Sequence, residues 1–485
     1  MKRSEFVKTT GLLTAGLTMA RNVFAGQSTG TVLPDIAPPA AAEFPVVRVA
    51  AGKRHFESAV IDEAISTFGK NVPNQELAWL FNNCFPNTLD TTVTHTMVDG
   101  RPDTYVITGD IDAMWMRDST AQVWPYLAFA KKDPKLQQLI AGVINRQAKY
   151  IIKDPYANAF YNDPEKQGEW KTDSTDMKKG VHERKWEIDS LCYPVRLAWN
   201  YWKMTGDVTV FEENYLAAIK NILMVFKDQQ RKTSDGAYHF QRTTAHATDT
   251  LSMSGYGNPV NPVGLICSAF RPSDDATVFP FLVPSNFFAV KSLGQAAEIV
   301  TTVYRDNALA AELKALASEV KSALQKYAVT THPVYGKVYA FETDGYGNHY
   351  LMDDANIPSL LAMPYLGTVS PTDPVYQNTR RMVLSKANPF YYEGTAAAGI
   401  GGPHVGKDMI WPMSLIIRGM TSNNEKEIRY CIDTLRKTHA GTGFMHESFH
   451  KDNPEKFTRS WFAWANTLFG EFLWKVYKEK KHLLG

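Results

Sequence analysis

A series of stretches in this chain repeats apolar side chains at a 3.6-residue period, and the way they are joined constrains the fold more than any single residue does. They are FESAVIDEAISTFGKN, PKLQQLIAGVINRQAKYIIKD, EIDSLCYPVRLAWNYWKMTGD, FEENYLAAIKNILMVFKDQQRKT, SNFFAVKSLGQAAEIVTTVY, DNALAAELKALASEVKSALQKYAV, DMIWPMSLIIRGMTS, NEKEIRYCIDTLRKTHA and WFAWANTLFGEFLWKVYKEK. Several open on Ser, Asp or Asn, the residues that cap a helix N-terminus. Partners within a pair are joined by tight turns, as in YWKMTGD-VTVFEEN and IIRGMTS-NNEKEI. The links between pairs are long and hold the Gly, Pro, Asp and aromatic residues. Roughly a dozen helices in short-linked hairpins predict an all-α fold, a double ring of helices or (α/α)6 barrel, with the long loops gathered at one end. Long loops in compact domains are usually functional, so the chemistry is expected there. No repeat is visible in the sequence, which favours a closed toroid over an open solenoid. The strand signals DTYVITGD and YGKVYAFE are few and short and predict hairpins in the loops.

The chain has 485 residues and a formal net charge of +2 without a long run of either sign. Nucleic acid and anionic membranes are therefore not expected as partners. Residues 1–25 read as a cleavable export signal: a basic MKRSEFVK, an apolar TTGLLTAGLTMA too short for a permanent anchor, and a small-residue site at Val23-Phe24-Ala25. No Cys follows the apolar stretch, so no membrane anchor is expected, and the destination is the periplasm. Residues 26–48 are a Pro/Ala-rich linker, and 49–485 are expected to form one catalytic domain. Cys84, Cys192, Cys267 and Cys431 are far apart with no CxxC pair, and are expected as free buried thiols rather than disulfides or a metal site.

Two loops carry paired chemistry. His446-Glu447-Ser448-Phe449-His450 has the HExxH pattern of a zinc protease, and Glu471 is spaced to supply a third ligand. Histidines at i and i+4 converge only on a helix of several turns. Gly441 and Gly443 upstream and Asn453-Pro454 downstream leave room for about one. The loop therefore reads as a flexible segment presenting Glu447, with no metal. The second loop is SAFRPSDDATVFPFLVPSN, with Asp274 and Asp275 after Arg271. Two carboxyl groups on distant loops are the equipment of glycoside hydrolysis: one protonates the leaving oxygen and the other activates water.

TGDIDAMWMRDSTAQVWPYL, FRPSDDA, LVPSNFFAV, LMDDANIPSLLAMPYLG and GFMHESFHKDNPEKFTRSWFAWANTLFGE, in this order from about residue 50 to the C-terminus, together resemble glycoside hydrolase family 125, the exo-acting α-1,6-mannosidases. The resemblance implies an (α/α)6 barrel, inversion at the anomeric carbon, no cofactor, and an α-mannoside oligosaccharide as the partner. It implies Glu447 as the general base and a carboxyl of RPSDDA as the general acid, with Asp274 preferred and Asp275 the near alternative. The acid should be kept protonated by a neighbouring carboxylate or apolar surroundings. Trp115, Arg117 and Asp118 of WMRDS are implied in the terminal-sugar subsite: Asp118 accepting from vicinal hydroxyls, Arg117 donating, Trp115 forming an apolar wall. Asp189, Arg271, Asp353, Asp354, His404 and His446 are further candidates for substrate contact, and Asn466 and Glu471 for supporting the base loop. The other readings to test are a zinc metalloprotease, an exported glycan-binding protein without activity, and an (α/α) polysaccharide lyase.

Overall fold

The computed structural model describes residues 44–485, and Pro45–Gly485 form one compact unit. The expected signal peptide and most of the expected linker lie outside the described residues. Arg48, at the linker's end, is tied into the fold by hydrogen bonds to Asp90 (2.7 Å) and Asp62 (3.0 Å).

Six positions close an inner ring. Five are helices: Met116–Val123, Ile188–Thr205, Val283–Ile299, Pro412–Met420 and Ala463–Glu479. The first packs against the second, the second against the third, the fourth against the fifth, and the fifth back against the first. The position between the third and fourth is filled by residues 358–367, a run of turns rather than a regular helix. Pro358 and Pro364 explain the difference from a helix, because each removes a backbone donor from a segment of ten residues. Tyr193 Oη donates to the Ile357 carbonyl and Tyr365 Oη to Glu471, which joins this segment to the second and last inner helices.

The two sets of helices begin differently. Ser58, Asn74, Asp133, Asp306, Asp373 and Asn424 cap peripheral helices with their side chains. The five inner helices start after Trp115, Glu187, Leu282, Trp411 and Phe462, none of which makes a side-chain cap. Several are entered from two-residue strands, Met114–Trp115, Phe281–Leu282 and Met409–Ile410, each paired with strands from other loops. The expected hairpins are Val93–Val98 with Arg101–Val106 and Val329–His332 with Gly336–Tyr339. Uncapped N-termini leave backbone N–H groups and positive dipole ends directed at the loops, a favourable setting for acidic side chains. The four cysteines are free and buried, and no helix of the described residues is long and apolar enough to cross a membrane.

Inside the ring, Glu471 accepts from Trp124 Nε1 (3.2 Å) and Tyr365 Oη (2.9 Å), while the Arg196 guanidinium lies 3.5 Å over the Trp124 ring. Glu471 therefore ties the inner ring together rather than bracing the base loop, whereas Asn466 does touch that loop by accepting from Met445 N (2.8 Å). Burial pushes the Glu471 carboxyl up to about 7, against the pull of Arg196. The folded protein thus holds a proton there that the unfolded chain releases near pH 4.5, so this contribution to stability falls as pH rises from about 4.5 to 7. Glu471→Gln should flatten that part of the curve. Thermal melts between about pH 5 and pH 8 are the check; curves that stay parallel to the wild type would show that this carboxyl does not titrate in the window.

Candidate active site

The N-terminus of the first inner helix brings Arg117 and Asp118 into the barrel mouth. Arg117 is buried among four carboxyl groups drawn from three segments. Its Nη1 donates to Glu187 (2.5 Å) and Asp189 (3.3 Å), its Nη2 donates to Asp274 (3.3 Å), and its Nε lies 3.5 Å from Asp118. Glu187 and Asp189 bracket the start of the second inner helix, so the two N-termini face each other through this guanidinium. Burial pushes Asp118 up to about 6 against the pull of Arg117, and Asp189 likewise to about 6. Glu187 is pushed well above the usual carboxylate range by burial, Arg117 opposing and Asp274 and Asp189 adding to it. One cation cannot neutralise all of these carboxylates, and the three buried ones, Asp118, Glu187 and Asp189, are each held above their ordinary values.

The two aspartates of RPSDDA part company. Asp274 has φ +65° and a side chain 22% exposed. Asp275 is buried, accepts from Ser273 Oγ (3.1 Å), and lies 3.8 Å from His404 Nδ1. Burial would raise the Asp275 carboxyl, yet His404, Thr248 and Arg271 hold it below its ordinary value. Burial would lower His404, but the Asp275 carboxylate, joined by Glu447 and Asp274, carries it up to about 9. The imidazolium of His404 is thus held within the field of both proposed reacting carboxyls.

Glu447 is buried where residues 446–447 lead into the strand Ser448–His450, which lies between Met409–Ile410 and Asn453–Thr458. Arg459 Nη1 stands 3.5 Å from it, while the rest of that guanidinium donates to Asp110 (2.5 Å) and Thr108 (3.1 Å). Burial opposes the charge of Arg459, but Glu447, Asp110 and Asp118 raise its pKa. The GDID loop is in turn fixed to the last inner helix. Gly109 bridges Phe462 with φ +133°, and a Cβ there would strike the Trp461 carbonyl.

HESFH is therefore strand and loop, not helix. His446 stacks on Phe457 (3.7 Å), its Nε2 meets the His439 carbonyl (3.3 Å), and burial lowers it to about 4. His450 Nδ1 accepts from Asp452 N (3.2 Å). Among the described residues no group of His, Cys, Asp and Glu is placed to hold a metal ion. The zinc reading loses the convergence it required.

Other expected substrate contacts sort by what already occupies them. Trp115 lies 5.0 Å edge-on to His182, and its Nε1 finds no partner among the described residues. Asp354 accepts from Ser273 Oγ (2.9 Å) and braces the Asp275 turn. Two side chains have partners within the fold, though the Arg271 Nη2 finds none among the described residues. Asp353 accepts from the backbone N–H groups of Leu360 (2.8 Å) and Leu361 (3.0 Å), a helix-type cap, with burial pushing it up to about 8. Arg271 donates to Glu342 (2.6 Å), which also accepts from Val278 N and Phe279 N. Sequence reasoning missed Glu187, Lys185, Asn158, Asp110 and Arg459. Glu187 carried a signal, lying two residues before Asp189 at a helix start, and Asp110 and Arg459 stood inside the family-like blocks TGDIDAMWMRDS and KFTRSWFAW without being singled out.

A model of the metal-independent alpha-mannosidases (GH125) matches residues 74–474. A Schizosaccharomyces pombe protein, the meiotically up-regulated gene 157 protein, is 41% identical over 460 residues, covering 91% of this chain and 90% of its own. A Streptococcus pneumoniae structure is 43% identical with TM-score 0.84, covering 88% of this chain and 100% of its own. It is described as one of a family of metal-independent alpha mannosidases, in a non-productive substrate complex with alpha-1,6-mannobiose. Glucoamylase from Saccharomycopsis fibuligera (TM-score 0.51, 11% identity, 89% of this chain and 99% of its own) shares the fold alone. Matched over most of its length by the family model and by relatives above 40% identity, the chain belongs to glycoside hydrolase family 125, the metal-independent α-mannosidases.

Proposed function

We propose that this α-mannosidase is exo-acting, removes α-1,6-linked mannose from the non-reducing end of N-glycan or mannan fragments, and inverts the anomeric carbon. What supports the reading is that two carboxyls 173 positions apart in sequence (447 less 274) each stand beside a guanidinium, the partly exposed Asp274 3.3 Å from Arg117 and Glu447 3.5 Å from Arg459, and that both raise the pKa of His404. The mannobiose bound by the Streptococcus pneumoniae relative supports the linkage.

In this mechanism Asp274 gives its proton to the glycosidic oxygen as the bond from that oxygen to C1 breaks. A water oxygen attacks C1 from the opposite face and loses its proton to Glu447. Asp275 suits the acid's role poorly, because its pairing with His404 favours the ionised form. Arg117 and Asp118 offer a donor and an acceptor to neighbouring hydroxyls of the terminal sugar, and Trp115 supplies apolar surface. Arg459, facing Glu447 and anchored by Asp110, keeps the base oriented.

The test is the anomer formed first. NMR during hydrolysis of α-1,6-mannobiose should show β-mannose before mutarotation. Initial α-mannose would exclude inversion, and binding without turnover would leave a glycan-binding protein. Export to the periplasm through residues 1–25 belongs to the same proposal; cell fractionation that finds the unprocessed chain in the cytoplasm would remove it.

A further inference from the structure

Asp274 is one of few non-glycine residues in the left-handed backbone region, where an L-residue carries a steric cost and persists only if its surroundings hold it. Two local bonds close the turn: Asp274 N donates to the Arg271 carbonyl (2.9 Å) and Arg271 N to the Asp275 carbonyl (2.8 Å). The third restraint comes from elsewhere in the chain. Lys185 Nζ donates to the carbonyl oxygen of Asp274 itself at 2.8 Å.

Lys185 is buried and fully engaged. An ammonium has three N–H groups, and the other two face Asp249 (2.5 Å) and Glu183 (3.4 Å). Those carboxylates are held by Arg242, which donates to Glu183 (2.9 Å) and Asp249 (3.2 Å) and lies 3.7 Å over Trp170. Asn158 joins the same network to the Asp274 side chain: its amide nitrogen reaches Glu183 (3.0 Å) and Asp274 Oδ1 (3.4 Å), and its oxygen accepts from Lys185 N (3.1 Å). With its donors occupied, Lys185 has none left for a sugar hydroxyl.

The geometry points to Lys185 as a positioning residue for the general acid: its ammonium, braced by Asp249 and Glu183, holds the Asp274 backbone in the conformation that presents the carboxyl to the cleft. This rests on Asp274 being the acid. A misplaced acid has a signature that general loosening does not. Protonation of the leaving oxygen matters for a sugar leaving group and little for fluoride, which departs as the anion. The substrates to compare are therefore α-1,6-mannobiose and α-mannosyl fluoride. In the latter, water attacks C1, its proton passes to Glu447 and the C–F bond breaks without help from Asp274.

Lys185→Met should lower kcat on mannobiose about 30-fold or more, a partial loss of the roughly 10²–10⁴-fold that a positioned acid contributes, with KM little changed and the fluoride rate within about threefold. Because Lys185→Met takes a cation away from the buried Glu183 and can fail to fold, Asp249→Asn is the second variant. Asp249 is a quarter exposed, and loosening Lys185 through it should give the same selectivity at a smaller, several-fold loss. Equal losses on both substrates in whichever variant folds would overturn the proposal. Asp274→Asn is the reference. If it shows the selectivity and the Lys185 and Asp249 variants do not, the positioning role fails while the mechanism stands. If Asp274→Asn lacks it, the assignment of the acid fails instead.

Discussion

Glu447→Gln is expected to reduce mannose release from α-1,6-mannobiose by on the order of 10³, with the fold intact. The amide keeps the shape of the carboxylate but cannot take a proton from water, so the attacking oxygen remains neutral and poorly nucleophilic. Folding should survive because Arg459, the cation facing Glu447, keeps its bonds to Asp110 and Thr108. The strand that follows Glu447 is held by backbone pairing on both sides. The loss should fall on kcat rather than KM, since in the proposed mechanism the base acts on water and not on the sugar. Initial rates with a thermal melt of the same sample are the measurement. Release at the wild-type rate, or a loss matched by a fall in melting temperature, would remove Glu447 from the chemistry.

Arg117→Met should be the most damaging single change to stability at neutral pH. The guanidinium is the cation at the centre of Asp118, Glu187, Asp189 and Asp274, three of which are buried. Removing one partner of a buried ion pair costs about 3–5 kcal/mol, because the charge left behind is neither solvated nor compensated. The carboxyls can respond only by binding protons. Asp118, Asp189 and Glu187 are already raised in the presence of Arg117, which opposes the rise in each. Without it they rise further, so the folded state binds more protons than the unfolded chain over a wider range, and stability falls with increasing pH. The variant should therefore melt closest to the wild type near pH 5 and diverge towards pH 8, roughly the window between the free and the raised carboxyl values. A melting temperature insensitive to pH in this variant would mean that the four groups are solvated in the folded protein.

These residues mark how far the sequence could be read. The 3.6-residue period, the Asp, Asn and Ser residues and the short turns located nine of the helices because each is a local property of fewer than about twenty residues, but Gln75–Cys84, Met116–Val123 and Pro374–Val383 were too short for a period to show. The WMRDS, RPSDDA and HESFH blocks were legible as loop chemistry by their resemblance to a family. The brevity of the segment between Gly443 and Pro454 excluded a zinc-binding helix, and the structure has a strand there. What escaped was partnership. Residues 358–367 contain no run that a period could reveal as an inner-ring position. Asp353 offered cap and contact readings equally, and only the bonds to Leu360 and Leu361 separate them.

The amino-acid sequence by itself determined the double ring of helices, the loops that carry the acidic residues and the family to which they belong, since periodicity, capping and motif are written within short windows. The tertiary structure alone decided which of the adjacent aspartates is partly exposed and which is buried, which cations sit beside each carboxyl and which partners each side chain has within the fold. Protonation and orientation depend on charges brought within a few ångströms from positions such as 117, 187, 274 and 459, and nothing in the spacing of those residues along the chain encodes their distance in space.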